Sequence, residues 1–171
     1  MGVAGYSEIA RILGLNSVAE RYADIAKKMA MKWEEMANEG DHYRLAFDRE
    51  NTWSQKYNMI WDKMWSLNLF SNNVISKEVN YYLMKQNPYG LPLDSRKEYT
   101  KSDWIMWTAA MSSDLETFKK FIDPLYKYIN ETTSRVPISD WHHTDSGEWV
   151  GFKARSVIGG YWMQVLMDKT R

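Results

Sequence analysis

No cysteine occurs in the 171 residues. That absence excludes disulfides, thiolate metal sites and a cysteine nucleophile together, and leaves the compartment open. Charge of one sign is not in excess either. Lys+Arg and Asp+Glu number 22 each, so the net charge carries no nucleic-acid footprint and no patch for an anionic membrane. No apolar run is long enough to span a bilayer. The opening MGVAGYSEIARILG has no basic segment ahead of an apolar one, so no signal peptide is read there. It reads as a helix entered in mid-turn, as expected of a piece cut from a longer protein. G-x-S-x-G, H-E-x-x-H, Walker A, G-x-G-x-x-G and Ser-x-x-Lys are all missing. Thr117-x-x-Lys120 imitates the last of these, but falls on the solvent side of an amphipathic helix.

Helical periodicity is what the chain does have. A first helix is predicted over about Val3–Leu13, ending at Gly14. A second starts at Ser17, whose spacing to Glu20 is that of a capping box. Tyr22, Ile25, Ala26, Met29, Trp33 and Met36 follow as one apolar stripe, closed by Gly40. Tyr43, Leu45 and Phe47 alternate with polar neighbours, which predicts an extended stretch or short ribbon. Helical steps return at Tyr57, Ile60, Trp61, Met64 and Trp65. They return again after Ser76, read as a cap, with Val79, Tyr82 and Leu83 buried. Thr100 with Asp103, and Ser113 with Glu116, are two further capping boxes. They launch Lys101–Met111 and a helix carrying Leu115, Phe118, Phe121, Ile122, Leu125 and Ile129. Pro124 is expected to kink or split that helix. A last helix is predicted over Ser156–Asp168, burying Ile158, Trp162, Val165 and Leu166.

The reading is therefore all-α: a single helical domain over residues 1–171, of about seven helices in antiparallel hairpins. Short loops alternate with long ones at 41–53, 87–100 and 131–152, and loops of such length carry function. Stacked hairpins would bring the long loops to one end, as in a helical solenoid or toroid. Their carboxylates, Asp94, Asp103, Asp140 and Asp145, are of the type that works in pairs as general acid and base. Each has a structural alternative: Asp103 as the partner in its capping box, and Asp94 with Arg96 as an ion pair fixing the loop. His142 and His143 are metal-ligand types, but neighbours on an extended chain point to opposite faces, so no metal is expected. Most Trp and Tyr fall on helical stripes and read as core. Trp104, Trp141 and Trp149 lie at loop edges, where ligand contact is plausible.

The stretches HYRLAFD, TWSQKYNMIWDKMWSLNLF, YGLPLDSRKEYTKSDWIMWTAAM, INETTSRVPISDWHHTDSG and GFKARSVIGGYW together resemble the C-terminal helical domain of the glutaminase A family. The most specific part is LPLDSR-x-x-YTKSDW followed by F-x-AR-x-V-x-GG. The resemblance implies a fungal or bacterial protein, secreted or periplasmic, much longer than this chain. It implies an (α/α)₆ toroid like that of six-hairpin glycosidases, of which this chain would be about half. The implied activity is hydrolysis of L-glutamine to L-glutamate and ammonia, without a cofactor. The implied partners are upstream domains of the same polypeptide and a small-molecule substrate, with no nucleic acid and no membrane span. The isolated chain would be inactive and prone to self-association. A non-catalytic helical module, or part of a glycoside hydrolase, stands as the alternative. The candidate catalytic residues are Asp94, Asp103 and Asp140. The candidate substrate contacts are Arg96, Trp104, His142 and Arg155.

Overall fold

The segment SDWIMWTAA is apolar on nearly every side, so a helix made from it has to be surrounded. It forms α5 (Ser102–Ala110), and the rest of the core is built around it. The computed structural model describes residues 1–170. The other helices are α1 (Gly2–Ile12), α2 (Asn16–Ala37), α3 (Ile60–Trp65), α4 (Asn72–Leu83), α6 (Leu115–Glu131) and α7 (Met163–Thr170). Two 3-10 segments, Tyr57–Met59 and Ser156–Trp162, join them. α5 packs on α3, α6, α7 and both 3-10 segments. Ile105, Phe121, Leu125, Tyr128, Ile60, Tyr82 and Met167 fill the space between. The fold is all-α, with one small two-stranded sheet among the described residues.

Several local expectations are corrected. Ser17 lies inside α2, which begins without a side-chain cap. Ser76 lies inside α4, whose cap is Ser71, accepting from the Val74 N–H. Thr100 belongs to a strand, and α5 also starts uncapped. Asp114, not Ser113, caps α6, accepting from the Thr117 N–H at 2.8 Å. The S/T-x-x-E spacing is short enough to recur within helices. What decides a start is where the preceding backbone leaves helical geometry. Pro124 does not split α6: the helix runs on to Glu131. The missing Pro124 N–H frees the Lys120 carbonyl four residues back, and Gln86 Nε2 donates to that oxygen at 2.8 Å. At the other end of this hairpin, Lys63 Nζ donates to the carbonyls of Ala110, Met111 and Ser112, placing a cation at the negative end of α5.

Two buried stripes turn out rotated. In α2 the inward residues are Ala19, Ala26, Ala30 and Ala37, while Met29 and Met36 are exposed. α1 presents Ala4, Ser7 and Ala10 to the first of these, small residues on both sides letting the backbones approach closely, while Ala37 joins the main core. Ser7 Oγ donates to the Ala19 carbonyl across this seam at 2.7 Å. At the C-terminal end, Met163 and Met167 are buried and Trp162, Val165 and Leu166 are exposed. Ser156–Trp162 winds at about three residues per turn rather than 3.6, which shifts the phase of the helix that follows it. Trp65 also lies on the surface.

The expected ribbon at 43–47 does not form; the backbone there makes a single bridge, Asn38 to Tyr43. The ribbon lies between the other two long loops. β1 (Tyr99–Lys101) runs antiparallel to β2 (Trp141–His143), with Tyr99 opposite His143, Thr100 opposite His142 and Lys101 opposite Trp141. The third loop joins them. Gln55 N–H donates to the Leu93 carbonyl and Ser95 N–H to the Trp53 carbonyl. The Gln55 side chain reaches the carbonyls of Leu91 and Pro92 and the hydroxyl of Thr100. Behind this loop Lys56 Nζ donates to the Tyr43 carbonyl and to the carbonyl and hydroxyl of Ser54. The buried Glu78 accepts from the Tyr43 N–H and the Tyr82 hydroxyl. Burial pushes the Lys56 ammonium down and the Glu78 carboxyl up, so both are held by their hydrogen bonds against a desolvation cost.

Candidate active site at the loop junction

The ribbon ends where α5 begins, and that placement assembles a polar cluster. Asp140 immediately precedes β2, and its carbonyl accepts from the Ser102 N–H at 2.7 Å and the Ser102 hydroxyl at 3.2 Å. The start of α5 is thereby fastened to the second loop. The Asp140 side chain is 1 % exposed, and its Oδ2 accepts from Lys101 Nζ at 2.9 Å and Arg155 Nη1 at 3.2 Å. Both are charge-assisted hydrogen bonds. Asp103, in the first turn of α5, is 4 % exposed. Burial pushes its carboxyl up to about 6; the Asp140 charge adds to this, and Lys101 and Arg155 oppose it. Oδ1 of Asp103, Oδ1 of Asp140 and the indole nitrogen of Trp107 are buried without a hydrogen-bond partner among the described residues. A carboxyl raised to about 6 therefore lies beside one that accepts from two cations.

The remaining neighbours fix this pair. Tyr161 donates its hydroxyl to Ser102 Oγ at 2.7 Å. Gly160, just before it, lies against Asp103 and Trp107. A Cβ at that position would sit 2.9 Å from Asp103 Cβ and 2.9 Å from Trp107 Nε1. No larger residue fits, which gives the second glycine of IGGYW a steric reason. Tyr57 stacks on Trp104 with centroids 4.2 Å apart, and their wall lies close enough to Asp103 for its charge to help raise the Tyr57 phenol, after burial. Arg155 is the exposed cation of the cluster, its guanidinium against the Phe152 ring.

The predicted residues divide accordingly. Asp103, Asp140, Arg155 and Trp104 belong to this cluster. Asp94 and Arg96 do not: they form a two-pronged ion pair with each other, at 2.9 and 2.7 Å, and fold their own loop. No hydrogen bond or ion pair joins either of them to His142 or Arg155 among the described residues. His142 is fully buried between the loops. Its Nε2 donates to the Tyr89 carbonyl at 2.8 Å and its ring lies flat on Tyr128, 3.5 Å between centroids. Burial pushes its imidazole down to about 4, so it is a neutral packing residue. Lys101, Trp107, Gly160 and Tyr161 escaped the sequence reading. Their signal was adjacency: Lys101 sits within YTKSDW, and Tyr161 follows the paired glycines. Among the described residues no group of three His, Asp or Glu side chains could hold a metal ion, and no helix is long and apolar enough to cross a membrane.

Comparison with known proteins places the chain in a family. The family model described as the glutaminase A six helical-hairpin domain matches residues 1–165. The chain belongs to that family. It is similar to a protein described as a probable glutaminase from Arthroderma benhamiae, 27 % identical over 201 residues, covering 99 % of this chain and 23 % of that one. It is also similar to a protein described as glutaminase A from Aspergillus oryzae, 29 % identical over 174 residues, covering 98 % of this chain and 25 % of that one. The chain thus spans about a quarter of the length of these relatives, and within the glutaminase A family it corresponds to a helical domain.

Proposed function

We propose that this domain supplies the acid–base pair of an amide hydrolase that converts L-glutamine to L-glutamate and ammonia. The observation that carries the reading is the unequal carboxyl pair: Asp103, raised to about 6, beside Asp140, which is paired with Lys101 and Arg155. A proton-transfer group works best when its pKa lies near the working pH. In this reading Asp103 takes a proton from the attacking water and returns it to the departing ammonia, so that one water is consumed and one C–N bond is broken. Arg155 meets the substrate's carboxylate. Asp103 lies beneath Gly160, so the segment Ser156–Trp162 has to move aside as substrate enters. The names of the two relatives support glutamine as substrate. The relatives' length supports a site completed by other parts of a longer polypeptide, in a toroid of which this chain is about half. The 171-residue chain alone is then inactive, because a site open to water loses much of its electrostatic stabilisation.

The test is ammonia release from L-glutamine by the full-length polypeptide. Asp103→Asn keeps the shape and removes the titrating group, and turnover should fall about a hundredfold or more. Full activity in that variant would assign Asp103 to structure alone. A second reading rests on the Tyr57–Trp104 wall beside the same pair. A flat aromatic face next to two carboxyls suits a sugar ring, and release of sugar but not ammonia would turn the assignment to a glycoside hydrolase.

A further inference from the structure

A buried indole nitrogen usually finds a hydrogen-bond partner, and one without a partner in a packed protein needs a reason. Trp107 Nε1 has none among the described residues. Its ring is held on two sides, with Trp61 edge-on at 5.2 Å and Tyr57 at 6.1 Å between centroids. Packing therefore fixes where the N–H points. Trp107 follows Asp103 by four residues on α5, so the two share a face of that helix. Oδ1 of Asp103 is also buried and unpartnered. Gly160 lies over both: a Cβ there would sit 2.9 Å from Asp103 Cβ and 2.9 Å from Trp107 Nε1. Whatever takes the place of Gly160 on α5 meets the carboxyl and the N–H at once. Trp141 Nε1 is likewise unpartnered, but Trp141 turns ring carbons to its own glycine neighbour, Gly151, with Cζ3 3.2 Å from where a Cβ would sit.

We propose that Trp107 is a second catalytic residue: its indole N–H donates to the carbonyl oxygen of the substrate amide and holds the negative charge that gathers there. The proposal rests on the amide-hydrolase reading of Asp103. An indole is a donor only, so it does not compete with Asp103 for the proton of the attacking water. An unpartnered acceptor and an unpartnered donor side by side suit a reacting water and a reacting carbonyl. As the water oxygen bonds to the amide carbon, its proton passes to Asp103 and the C=O π pair moves onto the oxygen facing Trp107. When that pair returns, the C–N bond breaks, its electrons leave with the nitrogen, and Asp103 gives the nitrogen its proton. The indole keeps its own proton throughout. Its N–H is already desolvated and fixed, and gives up no other hydrogen bond to meet the oxygen.

The test is made on the full-length polypeptide. Trp107→Phe removes the N–H, and benzothienylalanine at position 107 removes it while keeping the shape of the ring. Both should lower kcat on L-glutamine by about a hundredfold or more, with KM changed by less than about threefold, as for loss of one oxyanion donor. The melting temperature with benzothienylalanine should stay that of the wild type, because no hydrogen bond of the free protein is lost. Wild-type kcat with benzothienylalanine would overturn the proposal, whether or not Trp107→Phe folds. A fall in kcat matched by a lower melting temperature would assign Trp107 to packing and overturn it too. A fully active Asp103→Asn beside an impaired benzothienylalanine protein would remove the Asp103 reading alone. If the wild-type polypeptide releases no ammonia, that reading fails by itself, and the indole N–H resonance of Trp107 reports the contact directly. It should shift on titration with L-glutamine, and a resonance unmoved up to the solubility limit of L-glutamine would overturn the proposal.

Discussion

At the loop junction polar groups are buried and most of them are hydrogen-bonded, whereas in the α1–α2 hairpin apolar groups are exposed over a seam of alanines. The two regions use opposite residues at their centres. At Asp140 two cations converge on the side chain and the start of α5 on the backbone carbonyl, so its neighbours cannot change without leaving a buried charge. Around Ala26 nothing is charged and nothing is large. The junction is specified from within. The hairpin seam is specified from within as well, but its outer face is not.

That contrast orders the effects expected of substitutions. The largest belongs to Asp140→Asn, which leaves Lys101 buried without its counter-ion and should cost about 3 kcal/mol or more in urea denaturation. If the cost were below about 1 kcal/mol, the junction would be no more specified than the surface. Ala26→Leu tests the seam from the other direction. Overpacking between two close backbones should cost about 1–3 kcal/mol. Gly160→Ala should cost a similar amount, because its Cβ meets Asp103 and Trp107 at 2.9 Å.

Asp103→Asn should act with the opposite sign, and in a pH-dependent way. The folded carboxyl titrates at about 6 against an ordinary 3.8, so folding favours its protonated form. That contribution is complete below about 3.8 and is lost as pH rises through about 6. The variant, neutral throughout, should be more stable than the wild type at pH 8 by on the order of 2 kcal/mol, with the gap closing by pH 4. His142 runs the other way. Its imidazole titrates at about 4 against 6.5, so its contribution is present above 6.5 and lost as pH falls through 4. In the Asp103→Asn variant that acid loss is no longer offset by Asp103, and thermal melts from pH 6.5 to 4 should decline more steeply than in the wild type. The smallest effect belongs to the outer hairpin face. Ile9→Ser should shift the stability of the 171-residue chain by no more than about 0.5 kcal/mol, since Ile9 is already exposed in it. A loss several times larger would show that the face is covered within this chain.

The sequence by itself determined the helices, and most of their number, because the 3.6-residue recurrence of apolar side chains is a local property. It also singled out the loops that meet, since charge gathered there without helical order: Asp103 and Asp140 were legible from that clustering, Trp104 from its place at a loop edge, and Arg155 only through the family resemblance. The tertiary structure decided which way the stripes face. In α2 large apolar residues and alanines share the same period, and only the approach of α1, with Ala4, Ser7 and Ala10, turned the alanines inward. It likewise separated candidates that look alike along the chain. Asp94 and Asp140 are both loop aspartates beside arginines, yet one closes its own turn and the other receives cations from two different segments. The physical reason is the range of the forces involved. Helix formation is settled within a few residues, whereas a carboxyl's pKa and a helix's buried side depend on what distant parts of the chain bring against them.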